Sequence, residues 1–397
     1  MMKIRTYICL LIASISPSCI DRFDPYPAQT FPGGILVVEG SISGALTTIT
    51  LSHSTAAAGA GTAGFIGASD TDIATATLHI ECSDGSTSAP ADYLGEGAYA
   101  IETGDLDGDK QYRLHIALDG EEYESDFLAP ILTPQIDSLS WLKEGRGKPV
   151  HITVSTHADD NQPPYYRWTY KEDWEFKAEL FSAARFVSTI AGVDYYAMYD
   201  LHTSNNVYYC WGSDISKGFI LGSSDRLESN TISQKKLIAI EPADEKLSML
   251  YRVIVGQQQI RAQAYEYFSN LQKNVSQSGG LFAHIPAEIE GNIHCLTNPA
   301  LPVVGYIEVA TITSAERLIP EPTGLYEPPI ALCALQVVHR MNKGSLSSIY
   351  DFIQEQGQGP EPYMVVGLPL SYAPGSCLNC TSRGTKNKPA GWPTDHL

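Results

Sequence analysis

The residues best suited by type and spacing to do chemistry are Cys377 and Cys380, in the stretch SCLNCTSRGTKNKPAGWP near the end of the chain. A CxxC pair can supply two thiolates to zinc, cycle as a redox dithiol, or be oxidised as a staple. Zinc needs two further ligands at matching spacing, and the sequence offers no second CxxC and no nearby histidine pair, only His396. No metal and no cofactor is therefore expected. A redox role asks for the pair at a helix start in a βαβ setting, whereas Ala373-Pro374-Gly375 before it and Gly384 to Pro389 after it predict loop.

Compartment bears on the staple reading, and the other end of the chain speaks to compartment. Lys3 and Arg5 precede a short apolar run, Tyr7 to Ile15, and small residues lead to Cys19. The run is far shorter than the roughly 20 residues of a membrane span and reads as an export signal over residues 1–18. Ser16 and Ser18 before Cys19 suggest a lipobox in which Cys19 is acylated, although Pro17 makes it imperfect; secretion with Cys19 as an ordinary thiol is the alternative. Residues 19–34, rich in Pro and Gly, then read as a lipidated tether.

Loss of the signal leaves 24 basic residues against 45 acidic ones, a surface that repels phosphate backbones and argues against nucleic acid as a partner. With Cys9 removed and Cys19 acylated, six cysteines remain: Cys82, Cys210, Cys295, Cys333, Cys377 and Cys380. An even number in an exported chain makes all six candidate disulfide partners, with the pairing left open by sequence. Cys377 and Cys380 are expected to be oxidised, either to each other or to two of the other four.

The elements that must position these residues are mostly strands. Charged residues are only 18% of the chain while Tyr reaches 22, Gly 33 and Pro 24, a loop-rich and β-dominated composition. Segments 35–43, 47–54, 74–83, 98–102, 112–120 and 122–130 predict an immunoglobulin-like or transthyretin-like sandwich over 35–132. From 133 to 397 a second β-rich domain is expected, with 302–320 its clearest strand run. Ile260, Ala264, Tyr267, Phe268, Leu271 and Val275 form one apolar stripe and predict an amphipathic helix over 257–278. A shorter helix fits 346–355. The fold class is thus mainly β, α+β, with one long helix.

Several motifs read as decoys. Gly59 to Gly64 fits GxGxxG, but no helix follows to cradle a pyrophosphate. Asp105, Asp107 and Asp109 begin like a calcium loop, yet Lys110 replaces the required glycine. The ten histidines contain no HExxH, and neither a nucleophile elbow nor a Walker loop is present. Tyr166, Trp168, Trp174 and Trp211 could stack on a peptide or glycan, but aromatics at spacing two more often pack one face of a sheet. No catalytic residue is expected.

Taken together, LVVEGSIS, YRLHIALDGEEYESDF, YYRWTYKEDWEF, Cys210-Trp211, the block 251–306 and the terminal CLNCTSRGTKNKPAGWP resemble the Bacteroidetes lipoproteins grouped as the domain-of-unknown-function 4249 family. Relatives tend to carry an aspartate and an aromatic where this chain has Ala390 and Gly391. The resemblance implies an outer-membrane lipoprotein, often encoded beside a TonB-dependent transporter, with no assigned activity. The expected function is a non-catalytic accessory or ligand-binding partner of that β-barrel, on the cell surface or the periplasmic face. The alternatives are a structural or adhesive envelope module and a hydrolase with an unfamiliar site.

Overall fold

The computed structural model describes residues 34–56, 65–69, 73–182, 184–190, 193–198, 207–277, 291–321, 323–328, 333–334, 336–337, 363–365 and 371–393. Cys19 with the signal and most of the tether, the GxGxxG run and the candidate helix at 346–355 lie outside these residues.

The protein is mainly β. Its first body packs two sheets around one core. One sheet runs Val303–Gly305, Leu36–Ile42, Ala45–Ala56, Ala98–Gly104, Asp92–Gly95; Phe65–Ser69 pairs with the third of these, and Glu308–Val309 with the second. The other sheet runs Ile293–Cys295, Glu121–Ser125, Tyr112–Leu118, Thr77–Cys82. Alternation places Leu36, Val38, Ile49 and Leu51 of the first against Leu78, Ile80, Leu114, Ile116 and Tyr123 of the second. All six strand segments expected between 35 and 130 form.

Residues 293–309, placed by sequence in the second domain, return to this first body. Leu36 to Val38 pair in parallel with Val303 to Gly305, Ser41 and Ile42 with Glu308 and Val309, and Ile293 to Cys295 with Tyr123 to Ser125. A parallel partner cannot follow through a tight turn, so local pattern gives no hint of this return.

The second body contains a three-stranded sheet, Thr231–Ile240, Val150–His157, Ile136–Lys143, and a five-stranded one. The latter runs Tyr209–Ile215, Tyr165–Lys177, Leu250–Ile260, Thr313–Pro320, with Ile220–Ser223 also on Tyr165–Lys177. Between them lie Val150, Ile152, Val154, Tyr166, Trp168, Tyr251 and Val253. Burying one such ring removes roughly 150–250 Å² from water, worth about 4–6 kcal/mol before entropy is counted. A small third sheet joins 184–190, 193–198, 336–337, 363–365 and 371–372.

The helix is Ala262–Gln277, not 257–278, because Leu250–Ile260 is a central strand hydrogen-bonded on both edges. Glutamine favours helix weakly, and here tertiary partners override it. Gln257 accepts from the Trp168 indole at 2.9 Å and donates to Pro134 O and Thr156 Oγ1. Gln258 accepts from Arg167 at 2.7 Å and donates to Ser41 Oγ and Ala310 O at 3.0 Å, tying the second body to the first. Ala264, Tyr267 and Phe268 of the helix pack with Ile260 and Tyr306.

Candidate functional site: the C-terminal strap and the charged row beneath it

Two disulfides join the CxxC pair to distant positions rather than to itself: Cys210–Cys380, 170 residues apart, and Cys333–Cys377, 44 residues apart. Cys210 sits in Tyr209–Ile215, the edge strand of the five-stranded sheet. Cys82 and Cys295 are buried free thiols of the first body. The sequence left both outcomes for the CxxC open; only the fold brings Cys210 and Cys333 to it.

From Cys380 the chain runs back over the second body as a strap. Thr385 exchanges two backbone hydrogen bonds with Trp211, at 2.9 and 2.8 Å, and so extends the sheet edge. Lys386 Nζ donates to Tyr209 O at 2.5 Å. Arg383 donates to Glu245 at 2.9 Å with its guanidinium 5.4 Å from the Phe176 ring centre. Gly384 is required here, since a Cβ would lie 2.6 Å from Trp211 O and 2.7 Å from Phe176.

Beneath the strap, Asp173 and Glu175 share one face of Tyr165–Lys177 by the two-residue period, beside Ser213 and Trp211 on one neighbour and Arg252 and Leu250 on the other. Arg252 donates to Asp173 Oδ2 at 2.6 and 3.2 Å and to Ala390 O of the strap at 2.9 Å, under the Trp392 ring at 5.2 Å. Trp392 Nε1 donates to Glu175 Oε2 at 3.4 Å. Thus the strap contact at 390 is made by a backbone carbonyl, which the Ala390 departure leaves intact.

On the opposite face Glu172 accepts from Tyr251 at 2.7 Å and from Lys246 at 2.9 Å, while Lys246 lies 4.8 Å from the Trp174 ring centre. Burial disfavours the Asp173 carboxylate, but hydrogen bonds from Ser213 and Arg252 outweigh it and hold the group below its ordinary range. Burial pushes Glu245 up against the pull of Arg383, and pulls Lys386 down. Burial, with Glu172 beside it, drives the Tyr251 phenol far up. Each of these acids is thus committed to a donor of the body or strap.

The four aromatics offered as a stacking platform do not form one. Tyr166, Trp168 and Trp211 have 0% exposure, so no outside ligand can reach their faces. Tyr166 and Trp168 stack in the inter-sheet core, whereas Trp211 faces the other way, with Leu250 and Trp392. Trp174 is half-buried and lies on Gly212, where a Cβ would approach its ring to 2.3 Å.

Sequence reading missed a charged stripe across the outer face of the first body. His79, His115, Glu124 and His294 are successive cross-strand neighbours, and Arg113 bridges Glu81 and Glu124. Alternation within each strand was visible; their alignment depends on register. Among the described residues no group of three or more His, Cys, Asp or Glu is arranged to hold a metal ion. An open depression of about 450 Å³ is lined by Lys143, Arg146, Leu325 and Glu327, with Lys143 and Glu327 paired at 2.8 Å.

These features define a mainly β protein whose buried charges join neighbouring strands and fasten its C-terminal segment. The chain belongs to the family described as Domain of unknown function (DUF4249), whose sequence model matches residues 20–316. That span ends inside the strand Thr313–Pro320, so Cys333, Cys377 and Cys380 lie beyond it. No curated protein matches the chain.

Proposed function

We propose that the protein is an outer-membrane lipoprotein, tethered through Cys19, that serves without catalysis as an accessory of a TonB-dependent transporter in capturing or handing over a ligand. The observation that carries this reading is the order of parts: an export signal, a candidate acylated cysteine and a Pro/Gly-rich tether lead straight into a stapled β body. An immunoglobulin-like or transthyretin-like first sandwich belongs to the same reading, since such modules present loops to partners. The row Asp173, Glu175, Arg252 supports a non-catalytic role because its members are tied to one another and to the strap. The ligand is a peptide or glycan held at the surface or at the joint with the barrel, because Tyr166, Trp168 and Trp211 are sealed inside.

Affinity capture of the native protein from detergent-solubilised membranes tests the partner. A β-barrel transporter should be recovered with it in stoichiometric amount. Recovery of the protein alone, with no thermal shift across peptide and glycan panels, favours the structural or adhesive module instead.

A further inference from the structure

The two half-cystines of the CxxC pack in two separate clusters. Cys377 closes the short helix Gly375–Leu378 and packs with Leu378, Ala373 and Cys333, while Cys380 packs in a separate cluster with Phe176, Ala178 and Cys210. Between them Asn379 is extended, at φ −129° and ψ 110°. Its side chain accepts from Thr381 N at 2.9 Å, and Cys380 N donates to Val207 O at 2.8 Å. Cys333 is the half-buried member of the four, whereas Cys210 and Cys380 are fully buried, so an external thiol reaches Cys333–Cys377 first.

We infer that the CxxC is a redox-operated latch: reduction of Cys333–Cys377 lets Cys377 take Cys380 from Cys210, and the strap over Asp173, Glu175 and Arg252 is released. A dithiol reductant supplies two electrons, is itself oxidised to its disulfide, and leaves Cys333 and Cys377 as thiols. The Cys377 thiolate then attacks Cys380 Sγ; the Cys377–Cys380 bond forms, the Cys210–Cys380 bond breaks, and Cys210 departs as a thiolate that takes up the proton Cys377 gave to water. This second step is an exchange and consumes no electrons.

A nucleophile three positions away in the chain carries a small loop-closure cost, so it is the local competitor for Cys380 once its own bond is open. Bringing the two sulfurs together requires Cys377 and Cys380 to leave their separate clusters and turn toward each other. The exchange removes the covalent anchor at the origin of the strap. Arg383, Thr385, Lys386, Ala390 and Trp392 then hold on by noncovalent contacts alone. The consequence is a surface that exists in two states set by the thiol balance of the envelope: covered when both long-range disulfides are intact, and open, with the Arg252 guanidinium and the Glu175 carboxylate presented, when the CxxC is closed on itself.

Peptide mapping reads this directly, since Cys377 and Cys380 fall on one tryptic peptide, 344–383, with Cys333 on 318–340 and Cys210 on 186–217. The full-length wild-type protein is titrated with limiting dithiothreitol, alkylated and digested. The expected intermediate carries an internal bond in 344–383 with Cys210 and Cys333 alkylated, and native cleavage after Arg383 accelerates roughly tenfold or more as the strap opens. Alkylation of Cys377 while Cys210–Cys380 persists, or simultaneous loss of both bonds, overturns the latch. Cys333→Ser gives the independent arm: the purified variant should hold Cys377–Cys380 with Cys210 free, and a stable Cys210–Cys380 beside a free Cys377 contradicts it. If that variant does not accumulate, the wild-type titration decides alone.

Discussion

Arg252 serves three partners at once: the Asp173 carboxylate, the Ala390 carbonyl and the Trp392 ring. Arg252→Ala leaves Asp173 buried with only the Ser213 hydroxyl and Lys171, at 3.6 Å, so a loss of about 3 kcal/mol in urea-unfolding stability at pH 7 is expected. The sign of its pH dependence follows from Asp173. A carboxyl depressed in the fold contributes stability above its unfolded value of 3.8, lost as pH falls through the folded value. The wild-type advantage over the variant should therefore shrink in acid below about pH 4; an advantage that stays constant from pH 7 to pH 3 contradicts this role. His157 is the opposite case: its hydrogen bond and ion pair with Asp137, at 2.8 Å, raise its pKa above 6.5. A raised histidine contributes stability below 6.5, lost as pH rises through the folded value. NMR titration should give a midpoint above 6.5 that drops in Asp137→Asn, and equal midpoints would remove the pair. At this scale the sequence was legible where residue type alone decides, as for aromatics at spacing two that became core. It was silent for Arg252 and Gln258, whose partners come from positions far along the chain.

Strand existence was the most legible feature of the elements, because alternation is written within each segment: 112–118 reads as strictly alternating burial. The helix start was misread because Ile260 continues the apolar stripe of the helix and the glutamines before it carry no strand pattern, while both edges of their strand are already paired. Only long-range partners distinguish the two, and the stripe itself is real, since Ile260 packs with Ala264 and Phe268. Close strand approach gives a second test at this scale. A Cβ on Gly305 would lie 2.6 Å from Val38 O and 2.7 Å from Ile293 Cδ1, between the parallel strands that close the first body. Gly305→Ala should cost about 1–3 kcal/mol through overpacking. An unchanged midpoint of chemical unfolding would show that this closure is not tight.

For the whole molecule, the topology rests on returns that no local pattern announces: residues 293–309 complete the first body, and 380–392 fasten onto the second. Both are non-local pairings, whose cost in loop closure is recovered only when the full chain is present. The second return covers the buried row Asp173, Glu175 and Arg252. We therefore propose that function lies outside the buried row, in a β body working from a membrane tether. Fractionation of cells producing the wild-type protein and Cys19→Ser is the measurement that bears on it most directly. Wild-type protein is expected in the outer-membrane fraction and the variant in the soluble fraction. Equal partition of the two would contradict anchoring through Cys19 and, with it, the proposed place of this protein beside a transporter.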